Sequence, residues 1–117
     1  MKYLLFTLLS LIALSTTRAQ APIAGVWNTG KENTKVEIKL DDGQYNGTIM
    51  SSDNEKAPLG KLLIKEISKA KPHKGKIFVA RQKKWFDAEF TPDGETLFVK
   101  VLVGFRSRTI EWKKETE

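Results

Sequence analysis

The chain has 117 residues with no cysteine, 20 Lys and Arg against 14 Asp and Glu, and a formal net charge of +6. The absence of cysteine excludes a disulfide scaffold, a cysteine nucleophile and the lipid attachment of a bacterial lipoprotein. A chain of this length suits one domain with a modest core, whose stability must come from packing and strand pairing.

The first residues have the three zones of a secretory signal peptide. Lys2 gives a short positive start, residues 3–14 form a nearly unbroken apolar run, and a small polar segment ends at Ala19. A membrane-spanning helix needs about 20 apolar residues, so this shorter run predicts a cleaved leader over residues 1–19. Cleavage would lower the net charge to +4, because it removes Lys2 and Arg18. We therefore expect one domain over residues 20–117 in a secreted or periplasmic protein, without stable membrane insertion.

Two segments early in the mature chain alternate between apolar and polar residues with a period of two, which is typical of strands. The residues that share a face are Val36, Ile38 and Leu40 in the first segment and Tyr45, Gly47 and Ile49 in the second. The turn signal at residues 41–43 joins them as a predicted hairpin.

Residues 59–70 allow two interpretations. Leu59, Leu63 and Ile67 have helical spacing, whereas Leu62 and Ile64 fit a strand. We favour a strand over residues 61–68. Residues 71–75 then form a predicted basic turn that holds His73, which we expect to be exposed to solvent.

The last third of the chain predicts further strands. One of them, residues 84–91, places Phe86, Ala88 and Phe90 on one face, with Trp85, Asp87 and Glu89 on the other. Residues 96–103 are apolar on both faces apart from one lysine, and they predict a centrally buried strand. On the last strand, one face carries Arg108, Ile110 and Trp112.

Together these patterns predict an all-β fold of about eight short strands, arranged as a small antiparallel barrel or sandwich. In an up-and-down barrel the first and last strands are neighbours. Trp27, in the segment Gly25-Val26-Trp27, could then stack at one end of the barrel against Arg108 or Arg106.

This combination resembles the lipocalins and the wider calycin group, in which a Gly-x-Trp on the first strand stacks against an arginine of the last. The likeness assigns a barrel-closing role to Gly25, Trp27, Arg106, Arg108 and Trp112. It implies an antiparallel, up-and-down lipocalin-like barrel.

A likeness that covers nearly the whole mature chain is to a bacterial family of small secreted proteins of unknown function with lipocalin-like barrels. It rests on Gly25-x-Trp27, Gly43-x-Tyr45-x-Gly47-x-Ile49, Leu59-Gly60, Gly75-x-Ile77 and the late Gly104-x-Arg106 and Trp112. Residues 51–58 depart from that family, in which this connection is longer and rich in proline. The likeness implies fold and export, and it carries no activity.

We expect no enzyme activity. A Ser-His-Asp arrangement would need a buried histidine beside a serine, and His73 is the only histidine. Asp87 and Glu89 form a carboxylate pair on one strand face, but lysines flank them, as on an ordinary solvated strand. We predict neither a metal site nor a cofactor.

Binding is the remaining class of function. Lys83 and Lys84 beside two aromatic residues could bind single-stranded nucleic acid by stacking, but predicted export and the modest charge disfavour it, so we expect no nucleic acid partner. A barrel of this size can hold one small apolar or amphipathic ligand, or be filled by its own side chains. The candidate ligand-binding residues are Tyr45, Ile49, Phe86, Phe90, Val99 and Val101. The alternative is a cell-envelope interaction protein that binds a protein partner or an anionic glycan through its basic surface. The sequence leaves open whether the chain forms a homodimer.

Overall fold

The computed structural model describes residues 22–115, and the predicted leader lies outside this range. The described residues form eight strands: β1 Gly25–Asn28, β2 Lys35–Asp41, β3 Gln44–Ser51, β4 Leu62–Ser68, β5 His73–Val79, β6 Lys84–Asp93, β7 Thr96–Val103 and β8 Arg106–Lys114. Each strand pairs antiparallel with the next, and β8 returns to β1 to close a barrel. The predicted all-β, up-and-down eight-stranded barrel is confirmed, and residues 62–68 form a strand and not a helix.

Strand alternation divides each strand between an interior and an exterior face. Inward residues such as Ile38, Phe90 and Leu97 are buried almost completely. They belong to one hydrophobic cluster that fills much of the barrel.

Gly47 on β3 is required by this packing. A Cβ at this position would lie 2.6 Å from Cγ1 of Ile64 and 2.9 Å from Cγ1 of Val36. Because both neighbours are fully buried, β4 and β2 can approach β3 here only if residue 47 has no side chain.

The prediction that β7 is buried on both faces is wrong. Leu97 and Val99 are fully buried inside the barrel, but Phe98 and Leu102 on the outer face are only half-buried. A barrel has one interior, so an apolar outer face remains in contact with solvent even when the sequence of the strand is apolar throughout.

The up-and-down order gives the barrel two different ends. The terminal end holds residues 22–24, residue 115 and the turns at 42–43, 69–72 and 94–95. The loop end holds the connections at 29–34, 52–61, 80–83 and 104–105.

The strand β1 has only four residues and pairs with β8 only at Trp27–Lys114 and Asn28–Lys113. The part of β8 nearer the loop end, residues 106–112, therefore has no β1 partner along one edge. This asymmetry makes the terminal end closed and leaves the β8 side of the loop end open.

Candidate functional site

Trp27 closes the terminal end. Its side chain is fully buried, and its indole Nε1 donates a hydrogen bond to the carbonyl oxygen of Ile23 at 3.0 Å. The ammonium of Lys114 lies 4.8 Å from the centre of the Trp27 ring, within the range of a cation–π interaction. The same ammonium donates to the carbonyl oxygen of Ala24 at 3.0 Å. One lysine thus ties the end of β8 to the start of β1.

Gly25 makes room for that lysine. Its φ of +128° disfavours residues with a side chain, and a Cβ there would lie 2.6 Å from the Lys114 Nζ. The spacing Gly-x-Trp therefore has a local cause: the glycine opens the position that the cation occupies, and the tryptophan supplies the ring beneath it.

The prediction that Arg106 or Arg108 covers Trp27 is wrong. Lys114 is the residue in register with Trp27, whereas Arg108 pairs with Val101 and Arg106 with Val103 of β7. Both arginines are exposed and lie toward the opposite end of the barrel. The other predicted closing residue, Trp112, is buried and belongs to the same hydrophobic cluster as Trp27.

Arg106 and Arg108 nevertheless occupy inward-facing positions. Alternation along β8 places them on the face of Ile110 and Trp112, and Trp112 is buried inside the barrel. They remain exposed because β1 does not extend along this part of β8. Among residues 22–115 neither guanidinium forms an ion pair with a carboxylate.

The surface around the two arginines combines charge with apolar groups. Val101 is buried beneath it, Ile110 is half-buried, and Val103 is exposed. We call the inward face formed by Val101, Val103, Arg106, Arg108 and Ile110 the β7–β8 inner wall. Across the ladder, Val101 pairs with Arg108 and Val103 pairs with Arg106. Each arginine therefore has one apolar residue beside it on the neighbouring strand. Such a surface suits a molecule with an anionic group and an apolar body.

The six predicted ligand-binding residues all face the interior, but they divide between the two halves of the barrel. Tyr45 and Phe90 lie toward the terminal end within the packed cluster. Val99 lies between them and the open side of the loop end, which we call the mouth of the barrel. Ile49, Phe86 and Val101 lie toward the loop end. Of these, Phe86 is half-buried and packs against the cluster from the side of the opening. Ligand contact at all six remains a prediction, and the geometry favours the three residues nearer the loop end.

The expectation that His73 is exposed is wrong. It is the first residue of β5, it is 5% exposed, and its Nδ1 lies 2.9 Å from the carbonyl oxygen of Ser68. The ring meets that of Tyr45 edge-on, with centroids 6.2 Å apart. These contacts give His73 a packing role at the terminal end, because the basic turn ends one residue before it.

The carboxylate pair lies on the outer wall of the barrel. Asp87 accepts a hydrogen bond from the Lys76 ammonium at 2.9 Å, and this contact raises the pKa of Lys76 above its ordinary value. Glu89 lies across the sheet from Lys74 and Lys100. Asp87, Glu89, Lys74 and Lys76 border a shallow open groove of about 390 Å³ on β5 and β6. Because lysines alternate with the acids, the groove has no concentrated charge.

Trp85 is not a free stacking surface. Its ring meets Phe78 at a centroid distance of 5.3 Å, and the Lys65 ammonium lies 4.2 Å from its centre. The side chain is half-buried on the outer wall. Within the described range, no cluster of three or more His, Cys, Asp or Glu residues could hold a metal ion. That range also contains no helix of the length and apolarity needed to cross a bilayer.

Sequence reasoning missed Lys114, Ile23 and Val103. The signal for Lys114 was present, because the alternation of Arg108, Ile110 and Trp112 reaches residue 114 on the same face.

Comparison with known proteins gives no match, since no protein-family model, no curated protein and no solved structure is similar to this chain at a significant level.

Proposed function

We propose that this is an exported, non-catalytic binding protein that holds an amphipathic anion at the loop end of its barrel. The observation that carries the proposal is the β7–β8 inner wall. Arg106 and Arg108 face inward, are exposed, and form no ion pair within residues 22–115. Guanidinium groups bind carboxylates and phosphates with two parallel hydrogen bonds, and they keep their charge at any physiological pH.

The ligand we envisage has a short apolar body. The cluster at the centre of the barrel includes Phe90, Val99 and Leu97, all essentially unexposed. We therefore place the apolar part of the ligand on Val103, Ile110 and the half-buried Phe86, at the mouth and not deep inside. This position fits the resemblance to small exported lipocalin-like proteins of bacteria, and export rests on the predicted leader at residues 1–19.

Isothermal titration with dodecanoate, below its critical micelle concentration, tests the proposal. We expect dodecanoate to bind and dodecanol, which lacks the charge, to bind at least about tenfold more weakly, since one charged hydrogen bond is worth about 1.5–3 kcal/mol. Arg106→Gln with Arg108→Gln should weaken dodecanoate binding by a similar factor or more. The matched control is Arg81→Gln with Lys83→Gln, which removes two charges from another loop at the same end.

Two results would refute this function. The first is the absence of dodecanoate binding together with a bare protein mass in native mass spectrometry of material purified from its own envelope fraction. The second is dodecanoate binding that Arg81→Gln with Lys83→Gln weakens as much as the inner-wall substitutions do, because that would reduce the effect to net charge.

An interaction protein is the second candidate, and the free edge of β8 favours it. Alternation of the ladder directs the backbone groups of Ser107, Thr109 and Glu111 away from β7, toward the side that β1 leaves unpaired. Such an edge can accept an extended segment of a protein partner, and the basic residues beside it suit an acidic segment or an anionic glycan. Binding of a heparin oligosaccharide, but not of dodecanoate, would support this candidate and replace the first.

A further inference from the structure

The loop end concentrates the exposed apolar side chains of the barrel. Among residues 22–115 six large apolar side chains are exposed, and five of them lie in the connections of the loop end or within two residues of one. Those five are Met50, Leu59, Leu62, Val103 and Phe105. Phe105 is completely exposed at the tip of the β7–β8 hairpin, and Leu59 is 59% exposed in the connection between β3 and β4. A concentration of exposed apolar side chains at one end is typical of an interaction surface.

The five residues form two groups on opposite sides of the loop end. Met50, Leu59 and Leu62 are held together, because the backbone of Ile49 pairs with that of Gly60 and Lys61. Val103 and Phe105 lie on the opposite side, since β3 and β7 are four strands apart in a ring of eight. Two apolar tips on opposite sides of one rim can contact a flat surface at the same time.

The charge of the barrel is polarised in the same direction. Segments 29–34, 51–61, 80–84 and 104–108 at the loop end carry eight Lys and Arg against three Asp and Glu. Segments 41–43, 68–74, 93–95 and 113–115 at the terminal end carry five of each. No ion pair within the described residues neutralises any of the eight basic residues.

We infer that the loop end is a docking face for an anionic lipid bilayer. Phe105 and Leu59 enter the interface between headgroups and acyl chains, and the surrounding basic residues contact lipid phosphates. Apolar side chains ringed by cations are the combination that holds peripheral proteins on anionic membranes. Docking in this orientation turns the mouth of the barrel toward the bilayer. The inference does not require the ligand site, because the two tips and the charge polarity stand without it.

Vesicle co-sedimentation with the exported form of the protein tests this inference. Phosphatidylcholine vesicles with and without phosphatidylglycerol are the probes. We expect binding to the anionic vesicles only, reduced by high salt because screening weakens exposed charges. Leu59→Ser with Phe105→Ser should lower the partition coefficient at least about tenfold, since each inserted side chain removes apolar surface from water.

Leu40→Ser is the matched control. Leu40 is 51% exposed, close to the 59% of Leu59, but it lies on β2 near the terminal end. It should leave vesicle binding unchanged, and all variants should keep the melting temperature of the wild type because their side chains are exposed.

Three outcomes would overturn the inference: no binding to either vesicle, equal loss of binding on Leu40→Ser and on the double substitution, or binding to a heparin oligosaccharide without binding to anionic vesicles. The inner-wall variant Arg106→Gln with Arg108→Gln separates the two proposals. If dodecanoate binding is lost while the Leu59 and Phe105 dependence of vesicle binding persists, docking stands on its own. If vesicle binding is independent of Leu59 and Phe105 while dodecanoate still binds, only the docking inference fails.

Discussion

Replacing Lys114 with methionine should destabilise the barrel substantially, although the substitution removes only one partly exposed charge. Methionine keeps an apolar side chain of similar reach over the Trp27 ring, so the change isolates the ammonium. The ammonium has two contacts, the indole ring at 4.8 Å and the carbonyl oxygen of Ala24 at 3.0 Å. Both contacts join the end of β8 to β1 and the residue before it, where the two strands pair at only two positions.

The magnitude follows from these two contacts. A cation over an aromatic ring contributes about 0.5–2 kcal/mol, depending on how far it is desolvated. A hydrogen bond from a charged donor is worth about 1.5–3 kcal/mol, which we reduce to about 1 kcal/mol for a half-exposed group. The free energy of unfolding should therefore fall by about 1.5–3 kcal/mol. For a domain of this size that corresponds to a decrease in Tm of about 6–24 °C.

Differential scanning calorimetry and urea denaturation measure this effect, with two matched controls. Lys113→Met removes the neighbouring ammonium, which is exposed and reaches Thr96 on the outer face. Arg108→Met removes the inward cation that lies far from Trp27. Both controls should change the free energy of unfolding by less than about 0.5 kcal/mol.

A double-mutant cycle with Trp27→Phe makes the test specific to the pair. Trp27→Phe loses the hydrogen bond to Ile23 and part of the ring, and combining it with Lys114→Met should cost less than the sum of the two single substitutions. Additive effects, or an Arg108→Met variant that loses as much stability as Lys114→Met, would refute the assignment of Lys114 as the closing cation.

Three further substitutions test the packing and electrostatics of the barrel. Gly47→Ala should lower the free energy of unfolding by about 1–3 kcal/mol in urea denaturation, because the added Cβ would overlap Ile64. An unchanged free energy of unfolding would show that the packing around residue 47 tolerates a side chain. His73→Ala should lower the free energy of unfolding by about 1–3 kcal/mol in the same assay, because the contact of a buried ring with the backbone is lost. An unchanged free energy of unfolding would contradict a packing role for His73. Asp87→Asn should return the pKa of Lys76 toward its ordinary value in an NMR titration of the lysine side chain. A raised lysine pKa stabilises the fold below the unfolded-state pKa, and this contribution is lost as pH rises through the folded pKa, so the variant should show weaker loss of stability at alkaline pH. An unchanged Lys76 titration would show that Asp87 is not the cause.

The strands and their faces were predictable because each depends on a local pattern. A strand with one face in a core and one in water alternates with a period of two, so Phe86, Ala88 and Phe90 were correctly assigned to one face. The ambiguous segment before β5 was also resolved correctly as a strand. Here the neighbouring hairpins decide the outcome, because a strand adjacent to β3 can pair with it and a helix cannot.

The closing cation was not predictable from the same pattern. Alternation places Arg106, Arg108 and Lys114 on one face of β8, and each could reach a ring on β1 in some register. Which of them does so depends on the stagger of the first strand against the last, a contact between residues 87 positions apart. Local sequence does not encode that stagger. The burial of His73 and the exposure of the outer face of β7 escaped prediction for a related reason, because both depend on what the neighbouring strands cover.

The shortness of β1 has a consequence at each end of the barrel. Because β1 ends at Asn28, it pairs with β8 only next to Trp27 and Lys114, and this pairing must carry the closure of the barrel. The same shortness leaves Arg106 and Arg108 uncovered on the inward face. A longer β1 would stabilise the barrel by further pairing with β8. It would also run beside Arg106 and Arg108 and cover the face on which they lie. The two charges thus lie on an inward face whose other residues, Val101, Val103 and Ile110, are apolar, and this arrangement supports the binding site proposed for the inner wall.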